Sequence, residues 1–131
     1  IGMAASELFA SLPKDTRRAL GDVPRIVASL QRDAEALRAH HEQLQDSVAE
    51  AGDAATGEAY AELRALRDEM GERHREVIST LERMRLDLLR LHAGAMTVNG
   101  VTTQVGLADE VAQEVRRLLD ARGELERFLE R

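Results

Sequence analysis

A repeat of apolar residues between Val23 and Ala51 constrains this chain more than any other feature. Its members follow one another at alternating steps of four and three residues. They are Val23, Val27, Leu30, Ala34, Leu37, His41, Leu44, Val48 and Ala51. A stripe sustained over several heptads is typical of a helix that packs along another helix. The sequence therefore predicts a long amphipathic helix over 23–51.

A second stripe predicts a long helix over 58–92. Its seam consists of Leu63, Leu66, Met70, His74, Val77, Leu81, Met84, Leu88 and Leu91. One extra four-residue step interrupts the alternation, and such a stutter locally unwinds a supercoil. Ile78, Leu86 and Leu89 add apolar side chains outside the seam. We therefore expect the second half of this helix to be contacted from more than one side.

The break between these helices is predicted at Gly52 and Asp53, where the apolar pattern stops. A short connection favours antiparallel neighbours. The alternative is one unbroken helix through Gly52 and Gly57. Each interior glycine would cost that helix about 1 kcal/mol relative to alanine.

A third helix is predicted over about 103–130, after a break over 93–103. The break contains Asn99-Gly100, a pair that also occurs in hairpin turns. Its flanks are too short for strands, so we predict an interhelix loop. The wide apolar stripe that follows is typical of a helix lying between two others.

The N-terminal region is predicted to contain one short helical turn. Residues 1–10 lack strong periodicity, and we expect them to form a flexible segment. Ser11 can cap a turn with Pro13 in its first positions, and Gly21 would end that turn. Residues 11–131 are thus expected to form one all-α domain, an antiparallel bundle or coiled coil of three long helices.

The side chains expected to hold this bundle together form a packing seam on the three long helices. The predicted seam is Val27, Leu30, Leu37, His41, Leu44, Leu63, Leu66, His74, Val77, Leu81, Met84, Leu88, Val111, Val115, Leu118 and Leu125. Aromatic residues make up only 2% of the chain. Large ligand pockets usually have aromatic walls, so this composition disfavours one.

Charge and composition argue against several kinds of partner. The net charge of −6 disfavours nucleic acid and anionic membranes, which both need a basic surface. The chain has no cysteine, so it offers neither disulfides nor thiolate metal ligands. Its single lysine, Lys14, among 18 Lys and Arg residues suggests a bacterial, GC-rich gene. We expect a cytoplasmic protein, and the helical pattern continuing to Arg131 suggests a piece of a larger one.

The histidines lack the spacing of a known metal or catalytic site. Neither Glu-x-x-His nor His-Glu-x-x-His occurs in the sequence, and Gly-rich phosphate loops are absent. We therefore predict no enzyme activity, no cofactor and no metal. His41 and His74 occupy seam positions and are interpreted as core or register residues. The alternative function is a ligand- or metal-sensing bundle that uses these two seam histidines.

A group of arginines lies on the second predicted helix. Arg83, Arg85 and Arg90 could bind an anionic partner. Glu82 and Asp87 interleave with them, which favours a solvated, salt-bridged face instead.

The stretch LERMRLDLLRLHAG (81–94), together with residues 11–38, resembles the non-catalytic C-terminal helical region of some bacterial serine/threonine protein kinases. That resemblance implies that catalysis lies in another domain and that this segment serves dimerisation, autoregulation or docking. The resemblance assigns no functional residue of those kinases to a position in this chain. We expect a regulatory interaction or oligomerisation module that binds a second copy of itself or another helical protein.

Overall fold

A computed structural model of the protein describes residues 4–51 and 57–129, without the side chains of 51, 59 and 123–129. This part of the chain contains five α-helices and no strand. They are α1 (Ala5–Ala10), α2 (Lys14–Ala19), α3 (Val23–Ala51), α4 (Glu58–His92) and α5 (Val98–Leu129). The predicted all-α fold class is confirmed.

Helices α3 and α4 run antiparallel along each other. Arg67 Nη1 on α4 donates to Gln45 Oε1 on α3 at 3.3 Å. One turn further along α4, Gly71 lies against the ring of His41, which is one turn earlier on α3. The two helices therefore run in opposite directions, as the short connection predicts.

Helix α5 returns parallel to α3 and completes an up-down-up bundle. Arg25 Nη1 lies 3.6 Å from Asp109 Oδ1, and further along both helices Arg116 hydrogen-bonds to Asp33. The residue numbers in these two contacts increase together on α3 and α5, so the two helices run parallel. Helix α5 also packs against α4.

The predicted packing seam lies largely inside this bundle. Its buried members are Val27, Leu30, Leu37, Leu44, Val77, Met84, Leu88 and Val115. Its partly buried members are His41, Leu63, Leu66, His74, Leu81, Val111 and Leu118. The side chain of Leu125 lies outside the described part of the chain. Burial of these apolar side chains is the main force that holds the helices together.

The bounds predicted for the first two long helices match α3 and α4. Gly57 precedes α4 with a φ of 108°, a left-handed conformation that glycine adopts without steric cost. An unbroken helix through Gly57 is therefore excluded. The predicted break at Gly52 and Asp53 lies outside the described residues.

The N-terminal prediction is wrong in two respects. Within the segment expected to be flexible, residues 5–10 form α1, which packs against α3 and α4 and buries Leu8. Ser11 does not cap α2, because its hydroxyl donates to the Leu8 carbonyl at the end of α1, at 2.7 Å. Pro13 holds the N-cap position of α2. As predicted, Gly21 lies in the turn that follows this short helix.

The third long helix begins earlier than predicted. Helix α5 starts at Val98, so Asn99-Gly100 lies in its first turn and not in a loop. The physical reason is an N-cap that the sequence interpretation overlooked. The Gly100 N–H donates to Thr97 Oγ1 at 3.2 Å, and Val101 anchors the new turn in the core. The predicted final residue, Glu130, lies outside the described residues.

Candidate interaction surface

An apolar groove runs between the second half of α4 and the first half of α5. Among the described residues, the exposed large apolar side chains are Ile78, Leu86, Leu89 and Leu107. Ile78, Leu86 and Leu107 line one open groove of about 710 Å³. Met96, in the connection between the helices, also contributes to its lining. Exposed apolar side chains gathered on one surface are typical of interaction sites.

The periodicity of α4 explains why these side chains face away from the core. Val77 and Leu88 fill the seam against α3, and both are buried. Successive residues on an α-helix are turned by about 100°, so Ile78 and Leu86 point away from that seam. Helix α5 supplies Leu107 to the other wall. Helix α4 packs against both α3 and α5. The residues from which a second contact is predicted, Ile78, Leu86 and Leu89, are nevertheless exposed within one copy.

Charged residues surround the groove, and two of the expected salt bridges are present. Arg85 Nη2 lies 2.6 Å from Glu82 Oε1, and this hydrogen bond lowers the pKa of the Glu82 carboxyl. Arg90 Nη1 lies 3.7 Å from Asp87 Oδ1. Arg83 lines the groove but has no ion-pair or hydrogen-bond partner within the described part of the chain. The charged face is therefore only partly neutralised within one copy.

The prediction of a solvated, salt-bridged face is wrong for Asp87, because the side chain of this residue is only 6% exposed. It follows the seam residue Met84 by three positions, on the side of α4 that α5 covers. There it lies beside Gln104 at the bottom of the groove. Its Oδ2 atom is buried and has no hydrogen-bond partner within the described residues. A buried carboxylate oxygen without a hydrogen-bond partner is unfavourable for the fold.

Asp33 on α3 is a second buried acid, and the sequence interpretation missed it. It is 1% exposed and accepts a hydrogen bond from Arg116 of α5. The sequence feature that indicates its burial is its position one heptad after Ile26, on the flank of the apolar stripe of α3. This pair lies at the α3–α5 interface and does not line the groove.

The histidines do not assemble into a site. His41 and His74, predicted to be core or register residues, are only partly buried. Across residues 4–51 and 57–129, no group of three or more His, Asp or Glu side chains is arranged to hold a metal ion.

Comparison with known proteins gives no assignment of family. No family profile matches the chain, and neither a curated protein nor a solved structure shows significant similarity to it. None of the helices in the described part is both long and apolar enough to cross a membrane. The functional proposal is therefore based on the groove and the charges around it.

Proposed function

We propose that this chain is a non-catalytic helical oligomerisation module that binds a second copy of itself through the α4–α5 groove. The observation that carries this proposal is the exposure of Ile78, Leu86 and Leu107 on a single surface. Covering such side chains releases about 25 cal/mol for each Å² of apolar area removed from water. A second copy would provide that cover.

Charge complementarity favours a second copy over an unrelated partner. The groove is lined by charges of both signs: Arg83, a cation without a partner in the described residues, and the exposed carboxylate of Glu82. A two-fold symmetric interface brings the same surface of both copies together. One copy can then supply the charge that the other lacks, while their apolar side chains meet.

The groove is poorly suited to catalysis. Ser79 lines it, but the residues that line the same groove include no histidine that could activate a serine hydroxyl. The groove is also open along its length, whereas catalytic sites usually exclude water. These features support a binding role.

The biological context stays a prediction. The resemblance of 81–94 and 11–38 to the helical C-terminal region of bacterial serine/threonine protein kinases suggests a regulatory module in a cytoplasmic protein. Self-association would then bring two copies of a neighbouring domain together. The sequence of the whole gene tests this context directly.

Sedimentation equilibrium at micromolar concentration tests the proposed self-association. We expect the chain to form dimers, and Leu107→Ser to weaken them at least about tenfold, because a symmetric interface loses the side chain twice. Gln31→Ser is the matched control, since it shortens an exposed side chain on α3 outside the groove. A monomer at every concentration, or equal weakening by both substitutions, would refute the proposal.

A further inference from the structure

We propose that α5 is a releasable helix, which detaches from α3 and α4 as one unit while those two helices stay packed against each other. Release would also dismantle the α4–α5 groove, because Gln104 and Leu107 line that groove from α5. The release itself is independent of the proposed self-association. Its effect on the groove rests on that proposed function, and it makes the docking of α5 a switch for self-association.

Helix α5 buries smaller apolar side chains than its two neighbours do. Up to residue 122, its buried apolar residues are Val101, Ala108, Ala112 and Val115. Helices α3 and α4 bury larger side chains, such as those of Leu30, Leu37 and Met70. These two helices also contact each other more extensively than α5 contacts either of them. Because the free energy of apolar burial increases with the area removed from water, it holds α5 less firmly than it holds α3 to α4.

The two charged residues that are buried in the described part of the chain lie at the interfaces of α5. Asp33 on α3 accepts a hydrogen bond from Arg116 of α5, and Asp87 on α4 lies beside Gln104 of α5. Each acid keeps one buried carboxylate oxygen, Oδ2, without a hydrogen-bond partner among the described residues. The docking of α5 therefore carries a desolvation cost at both of its interfaces, and release would return both carboxylates to water.

The sequence at the start of α5 favours release. Residues 98–106 include Gly100 and Gly106 and consist otherwise mainly of valine and threonine, which are weak helix formers. This part of α5 therefore depends on docking to stay helical. The connection before it contains Gly94, whose φ is 78° and whose added Cβ would meet nothing within 4 Å. Such a residue can serve as a hinge about which α5 turns away while α4 keeps its place.

The rest of the bundle keeps a core of its own when α5 leaves. Helix α1 packs mainly against α3 and α4, and it buries Leu8 there. The ring of His41 on α3 lies against Gly71 of α4, so these two helices approach each other closely. Helices α1, α3 and α4 would then form a smaller helical unit that stays folded.

Hydrogen exchange followed by mass spectrometry tests the release, with the chain dilute enough to be a monomer. The protection of a segment reports the free energy of the opening that exposes its amides. We expect peptides within 101–118 to share one protection factor, at least about 100-fold below that of the centres of α3 and α4. Equal protection of the three long helices would overturn the release. Protection that falls steadily from one end of α5 to the other would overturn it as well, since that is fraying and not detachment as a unit.

Two variants at buried residues distinguish the release of α5 from global unfolding. Val115→Ala loses packing that only the docked state has, so it should speed exchange in α3, α4 and α5 alike, by at least about fivefold. Leu8→Ala loses packing that the released state keeps, so it should speed exchange in α3 and α4 at least about tenfold and leave α5 unchanged. Equal acceleration of all three helices by Leu8→Ala would overturn the proposal. If Leu8→Ala does not fold, Leu8→Val gives the same test with an expected acceleration of about threefold.

The dependence of exchange on protein concentration tests the link to self-association. A dimer formed through the groove requires docked α5, so binding of the second copy stabilises the docked state. Exchange within 101–118 should therefore slow about tenfold when the free chain reaches about ten times the dimer Kd. Dimers in which α5 exchanges as fast as in the monomer would overturn the link and leave the release supported. Separate exchange of α5 in a chain that stays monomeric at every concentration would support the release and refute the proposed function.

Discussion

Arg116 of α5 donates a hydrogen bond to the buried carboxylate of Asp33 on α3, across 83 residues of sequence. The arginine side chain is 45% exposed, so its guanidinium reaches from the surface to an acid that is 1% exposed. Burial raises the pKa of the Asp33 carboxyl, while the charges of Arg116 and Arg32 oppose that rise. The pair ties the first long helix to the last one and helps to fix their relative register.

Removing the arginine should destabilise the bundle. Arg116→Ala leaves the Asp33 carboxylate buried without its hydrogen-bond donor, and we expect a loss of about 1.5 to 3 kcal/mol in unfolding free energy. Urea denaturation at neutral pH measures the loss. Arg117→Ala is the control, because this exposed neighbour has no ion-pair partner within the described residues. Similar losses in both variants would show that the pair does not contribute.

The raised pKa of the Asp33 carboxyl also predicts that the stability of the folded protein depends on pH. Because its pKa is raised in the folded state, the folded protein binds more protons than the unfolded chain between the ordinary and the raised pKa. The stability that this group contributes is present below the unfolded-state pKa and is lost as pH rises through the folded-state pKa. Asp33→Asn, which cannot ionise, should lack that loss.

Denaturation of both proteins between about pH 3.5 and pH 7 tests this prediction. We expect the unfolding free energy of the wild type, relative to that of Asp33→Asn, to fall as pH rises. The unfolding free energy of the wild type relative to Asp46→Asn, a change at an exposed acid on α3, should show no such fall. A relative stability that is constant, or that increases with pH, would contradict the prediction.

The sequence predicts α3 and α4 well because one physical effect determines both. A long apolar stripe must be buried along a partner helix, whatever the local preferences of its residues. Helix α1 is too short to carry such a stripe. Its formation depends on the burial of Leu8 against α3 and α4. The start of α5 depends on a single cap at Thr97, which competes with the turn preference of Asn99-Gly100.

The groove could be predicted only in part. The apolar residues of α4 outside its seam, such as Ile78 and Leu86, signal a second contact surface. The burial of Asp87 could not be predicted, because it depends on where α5 lies. Glu82, five residues earlier on the same helix, stays exposed. The heptad pattern of one helix does not show which flank its neighbours cover.

Thr97 offers a direct test of the start of α5. Thr97→Ala removes the acceptor for the Gly100 N–H, and loss of an N-cap costs about 1 kcal/mol. Thr103→Ala is the control, since the hydroxyl of this exposed helical residue only donates to the carbonyl of Asn99. Thermal unfolding should show a lower midpoint for Thr97→Ala and little change for Thr103→Ala. If the two variants unfold alike, Thr97 does not cap the helix.

Gly71 and His41 test the register of α3 against α4. A Cβ atom at residue 71 would lie 3.1 Å from His41 Cδ2 and 3.2 Å from Nε2, closer than relaxed packing allows. Alanine in a helix is otherwise favoured over glycine by about 1 kcal/mol. We therefore expect Gly71→Ala to yield little of that gain in the wild type. The full gain should return in a His41→Ala background, where the ring is gone.

Gly106 provides the matched control for this comparison. It is a helical glycine in α5 whose added Cβ would meet nothing within 4 Å. Gly106→Ala should therefore stabilise the protein by about 0.5 to 1 kcal/mol in both backgrounds. Chemical denaturation of the single and double variants gives the coupling between residues 41 and 71. If Gly71→Ala stabilises the wild type as much as Gly106→Ala does, the His41 ring does not pack over Gly71. The register of the two helices would then differ from the one described.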